Sequence, residues 1–167
     1  MRRAAALDDR RLATIAYDTW SPEVSATPLW DAGRPFFREE AGLTTANTLV
    51  AFTPEAVVGF VAVAPFPYAR DRWVVRALAV DVVFRRRGIG TTLVRAASEA
   101  SAAAGARRLL VGVMPANTAA ITMLTRLGFA EAAPDQTHRR PGGHSGAVTM
   151  SLTLRAPGRR PRPTDDG

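Results

Sequence analysis

Apolar positions near the start of the chain recur at helical spacing. Leu12, Ile15, Ala16 and Thr19 fall on one face of a 3.6-residue repeat, with Asp8 and Asp9 near its beginning. This predicts an amphipathic helix over Leu7 to Trp20. Ser21 to Pro28 breaks it with two prolines, and a short helix is expected around Phe36 to Ala41. The period then shortens. Thr48 to Thr53 and Val57 to Ala64 read as strands joined by a tight turn at Pro54-Glu55, a hairpin signal, and Asp71 to Val83 reads as a third strand. Beyond it, strand and helix alternate: a helix over Thr91 to Ala104 ending near Gly105, a buried strand over Leu109 to Met114, a helix over about Thr118 to Leu127 stopped by Gly128, and a last strand over Ala147 to Leu154. The order predicts a single α/β (α+β) domain with a mixed, mostly antiparallel sheet over residues 1–154. Residues 155–167, rich in Pro, Gly and Arg without an apolar face, are expected to form a disordered tail.

Composition narrows the function classes. With 167 residues and 47% hydrophobic content, the chain can build a core without staples. It has no cysteine, which removes disulfide frameworks and Cys-based zinc sites. His138 and His144 alone cannot complete a metal site, so no metal is expected. No apolar run approaches a membrane span, and Ala4 to Leu7 is too short for a signal-peptide core, so a cytoplasmic protein without a membrane partner is expected. The net charge is +7, yet every basic side chain is arginine and none is lysine. That is a compositional habit before it is a phosphate-binding surface. Nucleic acid is disfavoured as a partner, because no recognition-helix pattern and no aromatics interleaved on a basic strand accompany the charge.

One segment carries chemistry. Val80 leads from a strand through Arg85-Arg-Arg-Gly88-Ile-Gly90 into a helix. Such a passage offers backbone N–H groups and the positive end of a helix to an anion, with guanidinium forks at its mouth. The natural guest is a phosphate or pyrophosphate. The loop has neither the Gly-Lys-Ser/Thr ending of a P-loop nor the third glycine of a dinucleotide fingerprint.

Arg85-x-x-Gly88-x-Gly90, preceded by Leu78-Ala79-Val80, resembles the acyl-CoA pyrophosphate loop of the GNAT N-acetyltransferase family. Asn117 through Ala120 to Leu127-Gly128-Phe129 resembles that family's Asn-x-x-Ala…Leu-Gly-Phe block. On its own terms the second block is a capped core helix, with Asn117 as N-cap and Ala120, Ile121, Leu124 and Leu127 as its buried stripe. The resemblance implies acetyl-CoA, or a related acyl-CoA, as co-substrate in a cleft where two parallel strands splay. By position, Leu78, Ala79 and Val80 would meet the pantetheine arm. Arg85, Arg86, Arg87, Gly88, Ile89, Gly90 and Thr91 would meet the phosphates, and Asn117 would face the cofactor arm. The implied reaction is acyl transfer to an amine of a small molecule or a protein. The family includes many dimers, which keeps a homodimer open.

The family's usual proton carriers are missing. The position of its strand carboxylate falls on Ala77, or on Arg76, and that of its tyrosine acid on Leu124. No catalytic residue is assigned. Asp71 or Asp81 is a candidate to order a water, with a turn cap as the simpler role for Asp81; Tyr68 is a candidate to reach the cleft. Trp20, Trp30, Phe36, Phe37 and the loop His138 to His144, with Arg139 and Arg140, are candidates for the acceptor side. Two alternatives stand beside the enzyme: an acyl-CoA-binding sensor or scaffold without turnover and, behind it, a basic nucleic-acid-binding domain.

Overall fold

A seven-stranded mixed sheet organises the chain, with strand order β1-β2-β3-β4-β5-β7-β6. The computed structural model describes residues 1–20, 33–67, 69–132 and 146–155. Its strands are β1 (Arg2–Arg3), β2 (Thr48–Phe52), β3 (Val57–Phe66), β4 (Ala69–Val80), β5 (Arg108–Val113), β6 (Ala130–Glu131) and β7 (Val148–Thr153). Its helices are α1 (Asp9–Asp18), α2 (Ile89–Ala103) and α3 (Thr118–Arg126). Every neighbouring pair is antiparallel except β4 and β5, which are parallel. The predicted class therefore holds, as does the order of the longer strands and helices.

Alternation along the strands sends side chains to two cores. On one face, α1 places Leu12 and Ile15 against Val50, Phe60, Ala62 and Ala77. On the other, α2 and α3 contribute Leu93, Val94, Ala97 and Leu124, which pack against Val61, Leu109 and Val111. Leu78 and Val80 point to the α2–α3 face, whereas Ala77 and Ala79 point to the α1 face.

Several boundaries differ from the sequence reading. The first helix begins with a single 3-10 turn, Ala6–Asp8, because Asp8 folds back: its carboxylate accepts from the Ala5 amide and pairs with Arg2. The expected helix at Phe36 to Ala41 shrinks to the 3-10 turn Glu39–Ala41. Paired bonds between Arg38 and Leu43 and a left-handed Gly42 close the chain into a tight loop there. Strand β4 stops at Val80, short of Val83, since Asp81 caps the turn Val82–Phe84. The two-residue strands β1 and β6 have no periodicity to read and exist only through their partners β2 and β7. Trp30, Tyr68, the His138 to His144 loop and the tail beyond Arg155 lie outside the described residues. Among the described residues no helix is long and apolar enough to cross a membrane.

Candidate active site

Two neighbouring strands part company at the centre of the sheet. Strands β4 and β5 pair from Arg72 with Arg108 to Val75 with Val111, and there the pairing ends. Beyond that point β4 runs on through Arg76 to Val80 along β3, while β5 continues to Val113 along β7. A bulge coincides with the parting. Ala62 of β3 faces Ala77 and Val63 faces Val75, so Arg76 is the extra residue of β4. Bulges raise local twist and re-aim a strand. The edge of Leu78, Ala79 and Val80 is thereby left, among the described residues, without a strand partner on the β5 side.

The opened strand leads through the turn Val82–Phe84 into the loop that precedes α2. Asp81 accepts from the Val83 amide at 3.0 Å and, through its other oxygen, from Arg11 of α1. Arg11 also donates to the Val57 carbonyl at 2.9 Å, tying the base of the loop to β3. Burial raises the Asp81 pKa and is the largest single influence, but the Val83 amide and the charges of Arg11 and Arg85 together outweigh it, leaving the carboxyl below its ordinary value. Helix α2 then starts behind Gly88, a residue with no side chain to cap it. Among the described residues the N–H groups of 86 to 91 find no acceptor, and the first bond of the helix runs from Thr92 to Gly88. Donors and helix dipole are left for a ligand.

The loop residues divide by role. Gly88 has φ +78 and open space where a Cβ would sit, so its conformation is what demands glycine. Gly90 is different: a Cβ there would meet Met123 Sδ at 3.3 Å, so its smallness seats α2 against α3. Arg85, itself exposed, donates from Nε to the Val80 carbonyl at 3.2 Å. Arg87 stacks its guanidinium over Phe84 at 5.4 Å. Arg86 is exposed, has no partner among the described residues, and is the one described non-glycine residue with positive φ, at 63°. A left-handed arginine costs about 1 kcal/mol.

Asn117 caps α3, its Oδ1 accepting from the Ala120 amide at 3.1 Å. The capping role read from sequence is therefore real. Ala77 lies in the α1-side core and Leu124 in the α2–α3 core, 2% exposed. Arg76 does not occupy the place of a base either, because its Nε and Nη2 both grip the Ala41 carbonyl, at 3.0 and 2.7 Å. Asp81 is committed to its cap and to Arg11, and Asp71 lies at the far end of β4 from the loop. Phe36 is fully buried in edge contact with Phe37 and Phe60, which makes it core and not pocket lining. Trp20 is half-buried, with its Nε1 enclosed and unpartnered among the described residues. The Arg76 clamp, the Arg11 strut and the left-handed Arg86 have no signature in the sequence. Each arises from a bulge, a crossing or a loop conformation that residue spacing does not encode.

The sequence matches the Acetyltransferase (GNAT) family across residues 10–129. The chain belongs to this family. Its fold is shared by yncA of Salmonella typhimurium, solved with its cofactor acetyl-CoA, at 17% identity, 95% coverage of each chain and a TM-score of 0.69. The ribosomal-protein-alanine N-acetyltransferase of Brucella melitensis is 23% identical over 92% of this chain and 98% of its own, with a TM-score of 0.66. N-acetylglutamate synthase of Neisseria gonorrhoeae, solved with coenzyme A and N-acetyl-glutamate, is 19% identical over 92% of this chain and 34% of its own, with a TM-score of 0.72. No curated protein sequence matches the chain. Among the described residues no group of three or more His, Cys, Asp or Glu is placed to hold a metal.

Proposed function

We propose that this GNAT protein is an acyl-CoA-dependent N-acyltransferase that moves an acetyl group from acetyl-CoA directly to an amine of a small molecule or a protein, in the cytoplasm. One observation carries the reading. The unpaired edge of β4 ends at Val80, and the short turn Val82–Phe84 leads from it to the uncapped start of α2, so a ligand with an extended amide-bearing arm and a pyrophosphate would meet matching partners in sequence. Leu78, Ala79 and Val80 would bond the arm, and the loop from Arg85 to Thr91 would bond the phosphates. The Asn117 side-chain amide nitrogen would face the arm across the opening.

In the reaction the amine nitrogen attacks the thioester carbon, the C–S bond breaks and the thiolate departs. The amine's proton goes to solvent, because Ala77 and Leu124 supply neither base nor acid. A thiol with a pKa of about 8.5 leaves tolerably without protonation. Positioning alone can supply ~7–11 kcal/mol, whereas a placed acid or base adds about 10²–10⁴-fold. The chemistry is viable but slower than with both carriers. It rises with pH as the acceptor, with a pKa near ~10.4 for an alkyl amine, loses its proton. An amine that already enters uncharged suits the site best, since the cationic Arg76 stands at the strand opening.

Acetyl-CoA-dependent release of free thiol, screened over amino acids, small amines and peptide N-termini, tests the proposal. Turnover with an acceptor supports it. Micromolar cofactor binding with no turnover on any acceptor would favour the second reading, an acyl-CoA-binding sensor, which the buried Ala77 and Leu124 motivate.

A further inference from the structure

Sequence patterning speaks against a domain that reads bases, yet the fold gathers charge where the sequence scatters it. Arg70 and Arg72 lie at the start of β4, Arg107 and Arg108 at the start of β5, and Arg155 just past the end of β7. Backbone bonds pin these strand ends together. The Arg107 amide donates to the Asp71 carbonyl at 2.7 Å, and the Leu154 amide donates to the Arg107 carbonyl at 2.8 Å. Arg72 and Arg108 are direct partners on adjacent parallel strands, so both lie on one face at the strand spacing of about 4.8 Å. Segments 70–72, 107–108 and 153–155 thus hold five arginines and a single acid, Asp71, whose carboxylate lies 4.0 Å from Arg72 Nε. Arg70, Arg107 and Arg155 are exposed.

Like charges set opposite one another on neighbouring strands weaken a sheet. The preference for arginine over lysine explains the residue type but not this placement. The cluster is also remote from the cofactor loop. Eight residues of β4 separate Arg72 from Val80, about 26 Å at ~3.3 Å per residue.

The chemistry around the cluster selects its partner. A protein interface needs an apolar centre, and an interfacial membrane contact needs apolar side chains to insert. Among the described residues the large exposed hydrophobic side chains are Met1, Leu7, Tyr17, Phe52, Val82 and Val83, and none belongs to these strand ends. A polar, strongly positive surface without an apolar centre is the character of a nucleic-acid interface. We propose that this end of the sheet docks the phosphodiester backbone of a nucleic acid, with guanidinium groups on successive phosphates and no reading of bases. Such a contact requires neither a recognition helix nor interleaved aromatics. It is independent of the acyltransferase reading and leaves the cofactor loop free.

The test is fluorescence anisotropy of the full chain with a labelled single-stranded RNA and a labelled DNA duplex, each of about 20 nucleotides per strand, across a salt series. Up to four phosphate contacts, from Arg70, Arg107, Arg108 and Arg155, give a slope of log K against log salt as steep as about −2.8 on the single strand. Arg107→Glu/Arg155→Glu weakens binding at least about ten-fold and flattens that slope by about 1.4, the share of two contacts. Arg107→Gln/Arg155→Gln moves both readouts in the same direction, which guards against loss of fold in the charge reversal. Arg86→Glu/Arg87→Glu, in the cofactor loop, changes binding less than about two-fold. Preference for one of the two probes identifies the nucleic acid. The inference is overturned if the loop variant loses binding and the strand-end variants keep it. It is equally overturned if removal of residues 156–167 alone abolishes binding, if polyglutamate displaces the RNA as well as RNA does, or if neither probe binds.

Discussion

Two passages from a parallel strand into a helix lie side by side in this molecule, and they end differently. From β5 the chain enters α3 through Asn117, whose side chain occupies the Ala120 amide. From β4 it enters α2 through Arg86, Arg87 and Gly88, and among the described residues nothing occupies the corresponding donors. The first passage is closed for stability. The second carries a left-handed arginine, an uncapped helix and the exposed Val82 and Val83. A protein shaped by stability alone would cap both. The difference supports the proposal that a ligand completes the hydrogen bonding at the β4–α2 passage, since strain at one passage only is the kind found where function demands it.

That contrast can be broken from either side. The largest effect is expected beneath the closed passage. Leu124→Ala removes a fully enclosed side chain at the junction of α2 and α3 and should cost about 3 kcal/mol in denaturant unfolding. At the open passage, Gly88→Asp places a carboxylate and a Cβ at φ +78 on the anion site, and CoA affinity by titration calorimetry should fall by about 100-fold, or about 2.7 kcal/mol. Asn117→Ala should lower stability by about 1 kcal/mol through loss of the cap while leaving the phosphate loop intact.

Asp81→Asn should also cost about 1 kcal/mol at neutral pH. Its wild-type pKa is depressed on folding, so the carboxylate's contribution is complete above the ordinary value near 3.9. The contribution disappears as pH falls through the lower folded value. Melting curves of wild type and variant should therefore converge in acid. The smallest effect is a gain. Arg86→Gly relieves the left-handed conformation and should raise the melting temperature of the free protein by about 1–2 °C, near ~0.5 kcal/mol, while weakening CoA binding.

Much of this architecture was legible in the residues. The switch from period-two runs to alternating strand and helix placed the hairpin of β2 and β3 and both parallel strands. The pair Gly88 and Gly90 behind Arg85 located the open passage, and Asn117 announced its own cap. What stayed hidden depends on partners distant in sequence. Arg76 is an unremarkable residue of β4 until the bulge aims it at Ala41, 35 positions away. Arg11 is a polar position of an amphipathic helix until it meets Asp81, 70 positions away. Phe36 and Phe37 look alike in sequence, but only contact with Phe60 shows that Phe36 is core. Glycine, too, conceals its purpose: Gly88 and Gly90 read as one motif, yet one serves a backbone angle and the other a packing distance.

The most direct test of the open passage is isothermal titration of the full chain with CoA, run in parallel on wild type, Gly88→Asp and Asn117→Ala. The account predicts micromolar binding to wild type, binding lost in Gly88→Asp, and pyrophosphate-dependent binding still measurable in Asn117→Ala. Absence of heat with wild type, or binding undiminished by Gly88→Asp, would contradict it.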